Sequence, residues 1–208
     1  MTNEALSRQP AVFKLGGSLL DLPDLGKRID QWSRQFAGPK SIWIVGGGKA
    51  VDQIRRSFSL GVIGEVKAHW DAIQAMESNA KKLHRSSPKL QNWPLIHSVE
   101  ALKSSVSQSR NNCHDGCFFL TSSWMETVVD LPKSWSVTSD SIAARLAVEL
   151  GLNRVVLVKS KSPPDGSPDQ LAELGYIDAY LPILVRKFRL TLEFINLRSD
   201  DFHQNRKG

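Results

Sequence analysis

Cysteine is scarce in this chain. Its 208 residues include two, Cys113 and Cys117, too few to staple a domain of this length. A disulfide scaffold is therefore excluded, and a cytoplasmic protein with reduced thiols is the expectation. Long apolar runs are missing too; none approaches the roughly 20 residues that a bilayer-crossing helix needs. The opening Met1-Thr2-Asn3-Glu4-Ala5 is polar and carries no secretory h-region. The two commonest nucleotide signatures are also lacking. No Gly-x-x-x-x-Gly-Lys-Ser/Thr occurs, and Val51 stands where a dinucleotide turn beginning at Gly46 needs its later glycine. No acidic residue closes a second strand at the usual distance, which counts against a Rossmann oxidoreductase.

Acidic charge is in deficit, with 21 Asp and Glu against 27 Lys and Arg and a formal net charge of +6. The basic residues are scattered, without an aromatic-interleaved RNA motif or zinc-finger spacing, so nucleic acid is the weaker reading. The balance suits an enzyme with polyanionic small-molecule substrates. The 41% hydrophobic and 23% charged composition is that of a globular protein without membrane segments.

The pattern that is present alternates short apolar strands with helices. Strands are expected at Ala11–Leu15, Ser41–Val45, Pro94–His97, Cys117–Leu120, Arg154–Val158 and Leu190–Leu197. Helices are expected at Leu25–Phe36, Ala50–Phe58, Glu65–His84, Val99–Val106 and from Ser139, as N-cap, to about Leu150, with Gly151 as the stop. Val66, Trp70, Ile73, Ala80 and Leu83 form the buried stripe of the longest helix. Residues 1–10 read as a loose leader, Ser107–Asp115 and Ser160–Pro168 as loops, and 201–208 as a mobile tail. The fold class is α/β, a three-layer αβα sandwich with a mostly parallel sheet. Ligands of such sheets bind beyond the carboxyl ends of the strands.

Three stretches fall on that edge: Phe13-Lys14-Leu15-Gly16-Gly17-Ser18, Ile44-Val45-Gly46-Gly47-Gly48-Lys49 and Val137-Thr138-Ser139-Asp140-Ser141. Bare amides at helix N-termini hold anions, and a lysine and an aspartate among them suggest phosphoryl transfer. Each feature has a plainer reading. Lys14 could be a solvated strand-end lysine, the glycines tight turns, and Asp140 a helix N-terminal support. His69 could be a satisfied core histidine, Trp70 core, and Lys159 and Lys161 surface-loop lysines. Cys113-His114-Asp115-Gly116-Cys117 is a polar loop rather than a zinc site.

Together and in this order, Lys14–Ser18, Val45–Gly48 and Thr138–Ala144 resemble the three motifs of the amino acid kinase family over about residues 11–198. That resemblance implies a carbamate-kinase-like fold with an acceptor-binding part (about 11–135) and a nucleotide-binding part (about 136–198). It implies ATP as phosphoryl donor, Mg²⁺ held largely by the nucleotide, a small anionic acceptor and a homodimer or higher oligomer. Lys14 would touch the transferring group, and Asp140 would organise the lysines. A second lysine would sit on the nucleotide side, with Lys161 fitting the uridylate-kinase-like frame better and Lys159 as rival. Gly16, Gly17, Ser18, Thr138, Ser139, Asp165 and Gly166 would contact the nucleotide or the migrating phosphate. Gly46, Gly47, Gly48 and His69 would contact the acceptor. Ala68–Met76 is similar to a helix signature of the aminomethylfuran phosphate kinase branch, which implies a furan-type phosphomonoester acceptor. Pro163-Pro164 lengthen the turn before Asp165-Gly166 relative to the family frame, and no late lysine-bearing helix has a match. A non-catalytic nucleotide or anion sensor on the same fold, or a carboxylate or nucleoside monophosphate acceptor, is the alternative.

Overall fold

The computed structural model describes residues 10–36, 41–107, 116–199 and 204–207. Within them a seven-stranded sheet runs β3–β4–β2–β1–β5–β6–β7. The strands are β1 (Ala11–Leu15), β2 (Ser41–Val45), β3 (Leu95–Ile96), β4 (Gly116–Phe119), β5 (Arg154–Lys159), β6 (Thr191–Asn196) and β7 (Gln204–Lys207). The first six are parallel, and β7 runs antiparallel to β6. Residues 204–207, expected as part of a tail, thus add an edge strand. β1 is central, with β2 on one side and β5 on the other, so the strand order reverses there. A crevice opens at such a reversal, beyond the carboxyl ends of the strands.

The strands are apolar on both faces because helices cover both. On one face Phe13, Trp43, Trp93 and Phe118 pack with α1 (Leu25–Phe36), contributing Ile29 and Trp32. Phe13 stacks on Trp43 at 4.9 Å with an interplanar angle of 15°. On the other, Val12, Ile42, Ile44, Val155 and Leu157 meet α3 (Glu65–His84) and α7 (Ser139–Glu149). Between these lie α2 (Gly48–Ser59), α4 (Pro88–Gln91), α5 (Val99–Ser107) and α6 (Ser122–Thr127), with α8 (Pro168–Glu173) and α9 (Leu181–Phe188) after β5.

The expected elements recur within two residues at either end. The differences have local causes. α2 begins at Gly48, before any apolar residue signals it. Thr138, not Ser139, caps α7, its side chain accepting from the Asp140 amide. Gly151 adopts φ +67°, as a helix stop does. In α3, Ile73, Met76, Ala80 and Leu83 are buried, whereas Val66 is 58% exposed because the first turn projects past the core. Helices α4, α6, α8 and α9 were not expected; at four to eight residues they are too short to develop a periodicity.

One ionic pair lies inside the sandwich. Arg154 and Glu193, both under 5% exposed, face each other across β5 and β6. Arg154 Nε and Nη2 donate to Glu193 Oε1 and Oε2 at 2.8 and 2.9 Å. A fork-to-fork pair offsets much of its desolvation, whereas removing one partner takes the facing opposite charge away from a buried ion. Glu193→Ala should therefore cost about 3–5 kcal/mol in urea unfolding, and a joint Arg154→Met, Glu193→Leu replacement far less. Equal losses in the two variants would contradict this account.

Candidate active site

The ends of β1, β2 and β5 and the N-termini of α2 and α7 surround a cleft of about 810 Å³. Lys14, the fourth residue of β1, is 6% exposed at its floor, and Asp140, in the first turn of α7, is 3% exposed. Lys14 Nζ lies 2.9 Å from Asp140 Oδ1, a close ion pair that leaves Oδ1 without a well-aligned hydrogen bond. Lys159, the last residue of β5, donates from Nζ to Asp140 Oδ2 at 2.8 Å and to the Tyr176 carbonyl at 2.8 Å. One carboxylate thus bridges two ammonium groups brought from separate strands. Burial opposes ionisation of Asp140, but Lys14 and then Lys159 overcome it and hold the carboxyl well below the ordinary carboxylate range. Burial lowers the Lys159 ammonium, assisted by the charge of Lys14 and opposed by Asp140.

The two candidates for the second lysine separate clearly. Lys159 joins Asp140; Lys161 is exposed, and its carbonyl accepts the Tyr176 hydroxyl at 2.8 Å. The uridylate-kinase-like frame pointed to Lys161 because it counted back from Asp165-Gly166. Lys159 instead ends β5 in register with the site, and the proline-lengthened loop carries residues 161–166 outward. Asp165 and Gly166 are absent from the cleft lining, which includes Gly175, Tyr176 and Asp178 on the side of β5.

The glycines divide into two roles. The Gly16 amide bonds the Val158 carbonyl at 2.7 Å and the Gly46 amide the Leu15 carbonyl at 2.8 Å, so both extend the sheet rather than face a ligand. Gly17, Gly47 and Gly48 line the cleft. At Gly17, Gly46 and Gly48 glycine stands because the two loops touch, and at Gly47 because of the Val51 side chain one turn on in α2. A Cβ on Gly17 would lie 2.3 Å from the Gly48 amide nitrogen, and one on Gly46 would lie 2.8 Å from that of Gly17. Gly48 also needs φ +55°. Asn79 of α3 fixes the second loop by donating to the Gly46 and Gly47 carbonyls at 3.0 and 2.9 Å. Ser18 lines the cleft, its hydroxyl 2.8 Å from that of Ser160.

Thr138 and Ser139 also line the cleft. Thr138 is tied through its amide and hydroxyl to Asp178 Oδ2, at 2.8 and 2.9 Å, and Asp178 accepts further from the Ser141 and Leu181 amides. Asp178 so fastens the N-termini of α7 and α9 together and sets the direction of Asp140. Burial, then the charge of Asp140, raises its carboxyl above the ordinary range. His69 lies apart from the lysines, in a side pocket behind Gly47. Burial and the charge of Lys133 lower its pKa, with Glu65 opposing. Of Cys113–Cys117, residues 113–115 lie outside the described residues; burial pushes the Cys117 thiol up to about 12, which keeps it protonated.

Sequence reasoning missed Asn79, Trp135, Tyr176, Asp178 and Arg198, all in the cleft lining. None stands in a glycine-rich stretch. Only the capping chemistry of Asp178, three residues before Leu181, carried a local signal.

No protein-family model matches the sequence, and no curated protein does. Solved structures do match. UMP kinase from Ureaplasma parvum superposes with a TM-score of 0.65 at 15% identity, covering 92% of this chain and 91% of that one. Uridylate kinase from Archaeoglobus fulgidus gives 0.58 at 18% identity over 89% and 90%. Aspartate kinase from Synechocystis gives 0.64 at 12% identity, over 92% of this chain and 38% of its own. These likenesses establish the fold, that of the amino acid kinases. Among the described residues no helix is long and apolar enough to cross a membrane.

The state of Asp140 has a pH consequence. Its carboxyl stays ionised in the folded protein at pH values where the unfolded chain, titrating near about 3.9, has taken up its proton. The pairing therefore favours the folded state above about pH 4 and loses that advantage as the pH falls further. Between about pH 5 and pH 3, urea midpoints should fall more steeply for the wild type than for Asp140→Asn. Parallel profiles would refute the assignment.

Proposed function

We propose that this chain is an ATP-dependent kinase that transfers the γ-phosphoryl group to a small anionic acceptor, a phosphomonoester. The observation that carries this reading is the Asp140 carboxylate paired at once with Lys14 and Lys159 on the floor of the cleft. Phosphoryl transfer needs little covalent help; it needs positioning and cations placed where charge builds on the migrating group. Asp140 holds two ammonium groups close together despite their repulsion and leaves their remaining N–H bonds for phosphate oxygens. The sensor alternative requires no such placement of both lysines around one carboxylate.

In this mechanism ATP enters along the wall of Tyr176 and Asp178, with its γ-phosphate between Lys14 and Lys159. The amides of Gly17 and Ser18 face its oxygens, and those of Gly47 and Gly48, at the start of α2, hold the acceptor's anionic group. An acceptor phosphate oxygen forms the new bond to γ-phosphorus as the bond to the β-phosphate oxygen breaks, and ADP leaves with that electron pair. The attacking oxygen is already anionic, so no general base is needed. The described residues offer no cluster of three or more His, Cys, Asp or Glu side chains for a metal, and Asp140 and Asp178 are committed to lysines, amides and hydroxyls. The family resemblance implies that Mg²⁺ would be held largely by the nucleotide, whose phosphate charge it would offset.

Structural neighbours include kinases of UMP and aspartate, and a phosphate acceptor is consistent with the first of these. The similarity of Ala68–Met76 to the aminomethylfuran phosphate kinase branch supports a furan-methyl phosphate, which would place the reaction in methanofuran-type cofactor synthesis.

ADP release should be measured with ATP–Mg²⁺ over a panel of phosphomonoesters that includes an aminomethylfuran-methyl phosphate. At least one should give turnover above the ATP-only background. Lys14→Ala and Lys159→Ala should each lower that turnover by about two orders of magnitude or more. Lys161→Ala should change it by no more than about threefold. ATP binding by calorimetry with no transfer to any acceptor would establish the sensor instead.

A further inference from the structure

Arg198 follows β6 and lines the cleft. Its backbone is fixed without help from its side chain. The Leu197 amide donates to the Lys159 carbonyl at 3.0 Å, the Leu197 carbonyl accepts from Arg28 Nη1 at 3.3 Å, and the Arg198 amide donates to Asn196 Oδ1 at 3.1 Å. The first of these bonds sets Arg198 one residue beyond a partner of Lys159. The side chain then crosses to the loop after β1, where Nη2 donates to the Ser18 carbonyl at 2.9 Å and to Asp21 Oδ1 at 2.5 Å. Ser18 in turn meets Ser160, the residue after Lys159, hydroxyl to hydroxyl at 2.8 Å. Arg198 therefore spans the ends of β6, β5 and β1 beside the cluster of Lys14, Asp140 and Lys159.

The pairing with Asp21 is not a packing requirement. The two side chains are 40% and 48% exposed, and exposed ion pairs of this kind contribute little to stability. Both bonds use Nη2, whereas Nε and Nη1 make none among the described residues. A planar donor fork thus keeps free N–H groups, in a geometry that phosphate oxygens match. Charge points to the same partner. Of the cleft residues from β5 onward, only Lys159 and Arg198 are cationic, and Lys159 is already bonded to Asp140 and the Tyr176 carbonyl. A polyphosphate leaving the two lysines on this side meets no other cation. It does meet Asp21, which lines the cleft and would repel it. An exposed carboxylate can turn into water once its partner leaves.

We propose that Arg198 is a donor-binding residue that exchanges Asp21 for the β-phosphate of the nucleotide. This rests on the kinase reading of the cleft and deepens it by assigning the cation that meets the leaving group. As an acceptor oxygen bonds to γ-phosphorus, the bond from γ-phosphorus to the β-phosphate oxygen breaks, and its electron pair stays on that oxygen. The guanidinium then faces the charge that builds on ADP, while Lys14 and Lys159 face the migrating group. Until the nucleotide enters, Asp21 holds the guanidinium extended toward β1, so that it is already in place.

The test is nucleotide binding by calorimetry on the full chain, with ATP, ADP and AMP, each with Mg²⁺. Arg198→Ala should weaken ATP and ADP by about tenfold, as loss of a charge-assisted hydrogen bond does, and AMP by less than about twofold. Asp21→Asn should act the other way and tighten ADP by about threefold, because the guanidinium no longer has to leave a carboxylate. In the double variant that gain should vanish, which separates release of Arg198 from simple removal of a repelling charge. A strap with a purely structural role would weaken ADP on either substitution. Arg198→Lys keeps the charge without the fork and should weaken ADP by about threefold, which decides the matter if the alanine variant does not fold. The proposal is overturned by ADP affinity that is indifferent to Arg198, by an AMP loss as large as the ADP loss, by Asp21→Asn failing to tighten ADP, by a gain that persists without Arg198, or by no nucleotide binding at all. Transfer to an acceptor with nucleotide affinity indifferent to Arg198 rejects this assignment alone. The expected ADP responses without transfer to any acceptor reject the kinase reading alone.

Discussion

One carboxylate with a lysine on each oxygen organises this molecule. Lys14 stands one residue before the end of the central strand, Lys159 ends its neighbour, and Asp140 lies in the first turn of the helix that packs against them. Two buried ammonium groups would repel each other and remain poorly solvated; a single anion between them makes their proximity tolerable. The arrangement demands parallel strands adjacent in the sheet, because only then do two strand ends deliver side chains to the same point. β1 and β5 pair in register from Val12 with Val155 to Leu15 with Val158, which sets Lys159 one step beyond the paired stretch. The helix carrying Asp140 must in turn be fixed in direction. Asp178 does this by accepting from Thr138 and Ser141 at the start of α7 and from Leu181 at the start of α9. A second carboxylate, placed against two helix N-termini, thus positions the first.

The glycine-rich loops obey a related constraint. Their composition invites a ligand-binding explanation at once, yet a packing requirement comes first. The loop after β1 and the loop after β2 approach so closely that a side chain on Gly17 or Gly46 would strike the other backbone. Two loops without side chains, pressed together above two strand ends, expose the amides of Gly17 and Gly48 to the same cleft. Gly16 and Gly46, which belong to the same motifs, spend their amides on the sheet instead. A glycine motif is therefore not a set of equivalent anion donors.

This division explains what the sequence made legible. The strands of the parallel core and the long helices were readable because burial on both faces forces continuous apolar runs and because α3 spans enough turns to repeat its stripe. Lys14 and Asp140 were readable because they sit inside those runs' boundaries. The choice between Lys159 and Lys161 was not, since it depends on where β5 stops pairing and how a proline-rich loop leaves it, both tertiary matters. Trp135, Asn79 and Asp178 escaped notice for a similar reason. Each acts on a loop or helix distant in sequence, and only the short-range bond of Asp178 to the Leu181 amide leaves a local mark.

The two sides of the cleft are built differently. The side that carries Lys14, Asp140 and Lys159 rests on fully buried strands and on a doubly anchored helix. The opposite side is walled by α2, which has no buried residue at all, and is held by its packing on α3 and by the two bonds of Asn79. Substitutions on the exposed face of α2 therefore disturb little of the core, while they reshape the wall of the cleft opposite the lysines.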